Sequence, residues 1–290
     1  MLYSPKKSTI DRADLPPQLR RLRSLLAVPQ RIAPRVAARI ALRAWMTPPP
    51  PRADRRSGPA GGRVDRIDVG HTVLELESWG DGPPVYLLHG WGGWRGQLAP
   101  LVEPLVSAGF RVLAVDAPGH GGSGPSRFGP NRSTMIDFVD AINAATEHGG
   151  EPAAIIGHSL GGSASALAVA EGQRTDRLVT IGSPPQPLEP LTAFTDAIQL
   201  TGATRTAMIS RLEQLAGRSM DEFDLLRRPA PAAGTLIIHD RDDREIAYRG
   251  AELLSAAWPA AELCPTSGLG HRRILRDPDV VQHVVDFVAR

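Results

Sequence analysis

The chain has 290 residues, is 42% hydrophobic and carries a formal net charge of +2 with a single cysteine. That length and apolar content suffice for one large core, while no apolar run approaches the ~18 residues of a membrane-spanning helix, and the lone Cys264 excludes a disulfide within one chain. No Cys/His cluster has metal-ligand spacing and the scattered carboxylates form no cation loop, so neither metal nor cofactor is expected, in a cytoplasmic setting.

The charge is unevenly placed. Residues 1–62 hold 13 Lys+Arg against 3 Asp+Glu, a net +10, and residues 63–290 carry −8. Within this basic arm a helix is expected from Pro34, stacking Arg35, Arg39 and Arg43, with Val36, Ala37, Ile40, Ala41, Ala44 and Trp45 supplying apolar surface. Such a helix either lies across the body of the protein or contacts an anionic membrane surface or an acidic partner. Nucleic acid is not expected, since no recognition motif accompanies the arginines. Neither is a cleaved signal peptide, because the start lacks a continuous apolar stretch and carries Asp11 and Asp14. The Pro/Gly/Arg-rich residues 48–62 read as a spacer, so the arm and linker end at 62 and a second domain covers 63–290.

In that second domain, residues 63–69 and 72–79 read as a hairpin about Gly70, with Leu74 and Leu76 alternating against Glu75 and Glu77. An apolar strand at 85–89 leads to a helix carrying Leu98, Leu101, Val102, Leu105 and Val106, ended by Gly109. A strand at 111–115 leads to a helix at 135–147, and further strands are expected at 153–156, 178–182, 235–239 and, more weakly, 262–264. Asp277 and Pro278 are the N-cap and first residue of a last helix burying Val281, Val284, Val285 and Val288. This alternation implies a doubly wound, mostly parallel sheet with its sites at the carboxyl ends of the strands. It is interrupted over 184–233, where helical stretches at 193–200, 205–215 and 221–227 read as a small helical insertion.

Gly157-His158-Ser159-Leu160-Gly161 joins the apolar strand 153–156 to a small-residue helix over 162–170. This is the G-x-S-x-G pattern of a nucleophile elbow, whose glycines relieve the crowding around a strained serine exposed at the helix N-terminus. Ser159 is the candidate nucleophile. A base is needed downstream: among eight histidines, His271 in Ser267-Gly268-Leu269-Gly270-His271 has the right chain order and a flexible loop. His158 is expected to pack beneath the turn and His120 to stabilise a loop. The charged loop after the strand at 235–239 holds three candidate acids, Asp240, Asp242 and Asp243. An oxyanion hole requires two fixed backbone N–H donors. His89-Gly90-Trp91-Gly92-Gly93, directly after a strand, can offer the Trp91 N–H, and the second donor is the Leu160 N–H.

These motifs, together with Asp116-Ala117-Pro118-Gly119-His120-Gly121-Gly122-Ser123, resemble the α/β-hydrolase superfamily over residues 63–290. The resemblance implies an α/β-hydrolase fold with a sheet of about eight strands and a cap at 184–233 that covers the site, for which Phe194, Ile198, Leu200, Met208 and Phe223 offer apolar lining. The superfamily's H-G-x-x-D-x-x-V-P pattern aligns with His239, Asp243 and Ile246 and selects Asp243 as the acid, although Asp240 and Ala247 depart from it. It also implies a cofactor-independent serine hydrolase that cleaves a small-molecule carboxylic ester or thioester through an acyl-enzyme on Ser159. Carbon–carbon bond hydrolases, perhydrolases and non-catalytic binding proteins share the same residues. The opening His89-Gly90-Trp91-Gly92 also resembles esterases of carrier-linked methyl esters.

Overall fold

The computed structural model describes residues 15–50, 59–231 and 233–290; most of the expected linker, residues 51–58, lies outside them. In chain order the elements are α1 (Pro17–Leu26), α2 (Pro29–Ile32), α3 (Pro34–Trp45), β1 (Arg63–Asp68), β2 (Val73–Trp79), β3 (Pro84–Leu88), a 3₁₀ segment (Arg95–Leu101), α4 (Val102–Ser107), β4 (Arg111–Val115), α5 (Met135–Gly149), β5 (Ala154–His158), α6 (Leu160–Ala170) and β6 (Arg177–Ile181). Next come α7 (Leu188–Ala197), α8 (Gly202–Ala216), two 3₁₀ turns (Met220–Phe223 and Leu225–Arg227), β7 (Gly234–Asp240), α9 (Arg249–Ala257), β8 (Glu262–Thr266), α10 (Gly270–Arg273) and α11 (Pro278–Val288). The described residues divide into two compact units, one of residues 15–45 with Leu188–Met220, the other of 46–50, 59–187 and 221–290.

The larger unit is built on an eight-stranded sheet in the order β1-β2-β4-β3-β5-β6-β7-β8. The β1–β2 and β2–β4 pairs are antiparallel, and every pair from β4 to β8 is parallel. Because strand side chains alternate, Val85, Leu87, Val112, Ala114, Ala154, Ile156, Val179, Ile181, Leu236 and Ile238 share one core cluster with Leu98, Leu101 and Leu105 and with Val284 and Val288 of α11. The opposite face is covered by α5 and α6, and both faces of the parallel strands are therefore apolar. Asp277 caps α11 by accepting from Asp279 N at 3.2 Å and Val280 N at 3.1 Å, and Thr134 with Asp137 closes a capping box on α5. The helix expected over 98–106 is split, with Pro100 inside the 3₁₀ segment before α4 begins, since proline donates no N–H to a regular helix.

The hairpin departs from a solvent-facing alternation. Glu75 and Glu77 of β2 are buried together with Asp116, and the Arg95 guanidinium meets all three, with Glu75 Oε1 and Glu77 Oε2 each at 2.9 Å. Arg66 adds a second cation, 3.1 Å from Glu75 Oε2. The Asp116 carboxylate also accepts from Arg95 N at 2.7 Å and Gly122 N at 2.8 Å, so one buried cluster ties the loop after β4 to the segment after β3.

In the smaller unit α3 packs on α8, and α1 and α2 pack on α3. Ala37, Ala38, Ala41 and Leu42 form the buried face of α3, and Thr201 N donates to Gln30 Oε1 at 2.9 Å. Trp45 and Phe194 have ring centroids 5.2 Å apart. Helices α1–α3 of the basic arm and the inserted helices α7 and α8, far apart in sequence, thus share one compact unit. Ile198 and Met208, which the sequence leaves open between pocket lining and packing, are fully buried.

Removing one partner from a buried ion cluster leaves uncompensated charge. Arg95→Met should therefore destabilise the fold by about 3–5 kcal/mol, measured by urea unfolding; a loss near that of an exposed arginine would contradict the clustering.

Candidate active site

Ser159 sits between β5 and α6 with φ 53° and ψ −125°, a left-handed conformation disfavoured for a side-chain-bearing residue. Its N–H donates to Ile181 O at 2.8 Å, tying the turn to the end of β6. The flanking glycines are required by space: a Cβ on Gly157 would collide with the backbone of Gly161 and Gly162, and one on Gly161 with the carbonyl oxygens of Leu88 and His89. A Cβ on Gly90 would stand 2.9 Å from Ser159 Cβ, which measures how closely the loop after β3 approaches the serine.

The loop after β7 brings Asp243 to His271. His271 Nδ1 lies 2.7 Å from Asp243 Oδ2. The other oxygen, Oδ1, accepts from Glu245 N at 2.8 Å and Ile246 N at 2.9 Å. His239 Nε2, which donates to Ile246 O at 3.1 Å, is also 3.5 Å from Asp243 Oδ2. Burial works against the Asp243 charge, but the hydrogen bonds from His239, His271 and Ile246 N–H outweigh it and hold the carboxyl well below the usual carboxylate range. The two other acids have separate work. Asp240 Oδ2 accepts from Thr266 Oγ1 at 2.7 Å and Leu269 N at 3.0 Å, and Asp242 Oδ2 accepts from Gly268 N at 2.8 Å. Both fasten the loop that carries His271.

The loop after β3 is shaped by two buried histidines. Ala117 N donates to His89 Nε2 at 3.1 Å, leaving the ring hydrogen on Nδ1, which donates to Gly90 O at 2.7 Å. Gly93 N donates to the same carbonyl at 3.0 Å. In a trans peptide the N–H points opposite to the C=O, so pinning the Gly90 carbonyl fixes the direction of the Trp91 N–H. His120 Nε2 accepts from Gly92 N at 3.1 Å, the loop-stabilising part expected of it.

His158 joins the elbow to the acid–histidine pair. Its ring centroid is 4.7 Å from that of His271, and its Nε2–H donates to His271 O at 2.9 Å. Burial, reinforced by the neighbouring His271, pushes its pKa down to about 3. Gly182, at φ 59° just past β6, completes the junction, since a Cβ there would lie 3.3 Å from His271 Nδ1 and 3.6 Å from Asp243 Oδ2. Sequence reading gave no role to Gly182 or to the side chains of His89 and His239, although both histidines stand in motifs that it quoted. The available signals were a glycine ending a parallel strand and histidines at the carboxyl ends of β3 and β7.

A family model described as the alpha/beta hydrolase fold matches residues 83–223. The chain is 34% identical over 272 residues to a 2-hydroxy-6-oxononadienedioate/2-hydroxy-6-oxononatrienedioate hydrolase of Paraburkholderia xenovorans, covering 76% of this chain and 92% of that protein. It is 35% identical over 138 residues to the pimeloyl-[acyl-carrier protein] methyl ester esterase of Vibrio campbellii, covering 44% of this chain and 51% of that one. Other stretches of higher identity span as little as 28% of the relatives they match. Among solved structures, a meta-cleavage product hydrolase from Pseudomonas fluorescens has a TM-score of 0.58 at 22% identity, covering 77% of this chain and 96% of its own.

A histidine that titrates lower folded than unfolded makes the folded state lose stability as pH falls from the unfolded value near ~6.5 through the folded one, because only the unfolded chain takes up the proton. For His158 that window is pH 6.5 down to about 3. Its ring ¹⁵N resonances should remain those of a neutral Nε2–H tautomer at pH 5; protonation there would refute the buried hydrogen bond to His271 O.

Proposed function

The chain belongs to the α/β-hydrolase superfamily, and on that footing we propose that it is a serine hydrolase that cleaves an ester or thioester through an acyl-enzyme on Ser159. The observation that carries this reading is the 2.7 Å contact between His271 Nδ1 and Asp243 Oδ2, with the His271 ring in tilted contact with that of His158, the chain neighbour of Ser159. In this scheme His271 takes the Ser159 hydroxyl proton through Nε2 as Oγ attacks the carbonyl, and Asp243 fixes the imidazole tautomer and stabilises the imidazolium. The Trp91 and Leu160 N–H groups receive the charge developing on the carbonyl oxygen. His271 then returns the proton to the leaving alcohol or thiol, and water activated by the same imidazole clears the acyl group. No step calls for a metal or organic cofactor.

A second reading, hydrolysis of a carbon–carbon bond beside a carbonyl by the same residues, is favoured by the extent of the likeness to the Paraburkholderia hydrolase. Comparing turnover of p-nitrophenyl acyl esters with that of a 2-hydroxy-6-oxodienedioate separates the two.

Ser159→Ala should lower kcat by ~10⁴-fold or more and abolish fluorophosphonate labelling, and Asp243→Asn should lower kcat by ~10⁴-fold. Labelling of Ser159 without turnover of either substrate class would favour a binding protein. If His89 aims the Trp91 N–H, His89→Phe should lower kcat roughly 10- to 100-fold with KM little changed; a pure KM effect would remove it from that role.

A further inference from the structure

The smaller unit carries a surface that ester chemistry does not use. Leu25, Val28, Ile32 and Val36 are 59%, 65%, 78% and 50% exposed. Apart from Val64, Val73 and Leu188, they are the exposed large hydrophobic residues among those described. Leu25 lies in the last turn of α1, Val28 just before α2, Ile32 at the end of α2 and Val36 in the first turn of α3. On α3, Ala37, Ala38, Ala41 and Leu42 face inward, so Val36 belongs to the outer face, beside the exposed Arg35 and Arg39. Arg20, Arg21 and Arg31 are exposed along the same stretch. Residues 15–45 contain no Asp or Glu, so the segment carries no acid of its own against these charges.

We propose that this face docks on the surface of an anionic lipid bilayer, Leu25, Val28, Ile32 and Val36 entering the headgroup region while the arginines meet lipid phosphates. Apolar side chains in water beside guanidinium groups form the two-part pattern of interfacial helices: apolar insertion supplies area and arginine supplies attraction to anionic headgroups. The occupant is lipid rather than an acidic protein because the apolar side chains project singly from short helices. A fluid interface accommodates such projections without a complementary pocket. Among the described residues no helix is long and apolar enough to cross a membrane, so the contact is peripheral. The inference is independent of the proposed catalysis, since it is read by binding alone.

The experiment is sedimentation of the full chain with phosphatidylcholine vesicles, with and without about 30% phosphatidylglycerol, at low and high salt. Binding is expected to the anionic vesicles only, and to weaken strongly at about 0.5 M salt. Val28→Ser with Ile32→Ser, which keeps every charge, should weaken it by at least about tenfold. Arg31→Gln with Arg35→Gln and Arg39→Gln should weaken it by about 100-fold. Circular dichroism and a urea unfolding midpoint unchanged in both variants would show that the fold is retained. Absence of binding, equal binding to both vesicle types, unchanged binding by the serine variant, or retention on an acidic carrier protein but not on vesicles would each overturn the proposal.

Discussion

Holding Ser159 in a conformation that side chains avoid is the constraint on which the rest of the candidate site depends. Such a residue costs on the order of 1–3 kcal/mol and persists only where its surroundings over-determine it. Here they do so on three sides. Helix α6 leaves the turn so close to β5 that Gly157 and Gly162 are in backbone contact, Gly161 lies against the carbonyls of Leu88 and His89, and the Ser159 N–H is committed to Ile181. The serine is therefore fixed by three neighbouring strands of the sheet rather than by its own loop, and its position inherits the stiffness of the core. One further methyl group at either flanking glycine would move backbone, not side chain.

Histidines do much of the remaining positioning, and they act through ordinary hydrogen-bond directionality. His89 receives a backbone N–H on one nitrogen and gives a hydrogen from the other to Gly90 O, so its tautomer is set by its neighbours. His158 and His239 each donate from Nε2 to a backbone carbonyl, of His271 and Ile246 respectively. Each also leaves a buried Nδ1 without a hydrogen-bond partner, a cost of roughly 1–3 kcal/mol per group. An apolar side chain at either position would remove that cost together with the donor to the carbonyl of His271 or Ile246, and at 239 also the ring nitrogen 3.5 Å from Asp243 Oδ2.

Much of this was legible in the sequence, for reasons that differ by residue. The elbow is a local pattern in which strand, glycine spacing and helix lie within Ala154–Ala170, so the turn that carries Ser159 can be read directly. Choosing Asp243 from three nearby acids rested on a resemblance, because which carboxylate reaches His271 depends on a turn whose shape is set by Asp240 and Asp242 binding backbone N–H groups. The burial of Glu75 and Glu77 was invisible because alternation with Leu74 and Leu76 looks the same whether the second face meets water or an arginine from a later segment. Helices α1 and α2 escaped notice because prolines at 16, 17 and 29 break the segment into pieces too short for a period to emerge, and their packing against α3 is a long-range fact.

Buried carboxylates stand on both sides of the elbow, and they solve one problem twice. Asp116 receives Arg95 N, Gly122 N and the Arg95 guanidinium on the side of β3 and β4, while Asp240 receives Asp242 N, Leu269 N and the Thr266 hydroxyl on the side of β7 and β8. A loop at the carboxyl end of a parallel strand leaves the sheet with its N–H groups unpaired, and burying them without acceptors would cost more than any packing there returns. One carboxylate can accept from two or three of them at once, more strongly than a neutral acceptor. The hydrogen bonds to Asp240 hold its pKa down although burial opposes them. The same donors that fix the loop after β7 keep Asp240 ionised, so structural order there and the local negative charge near His271 follow from a single arrangement.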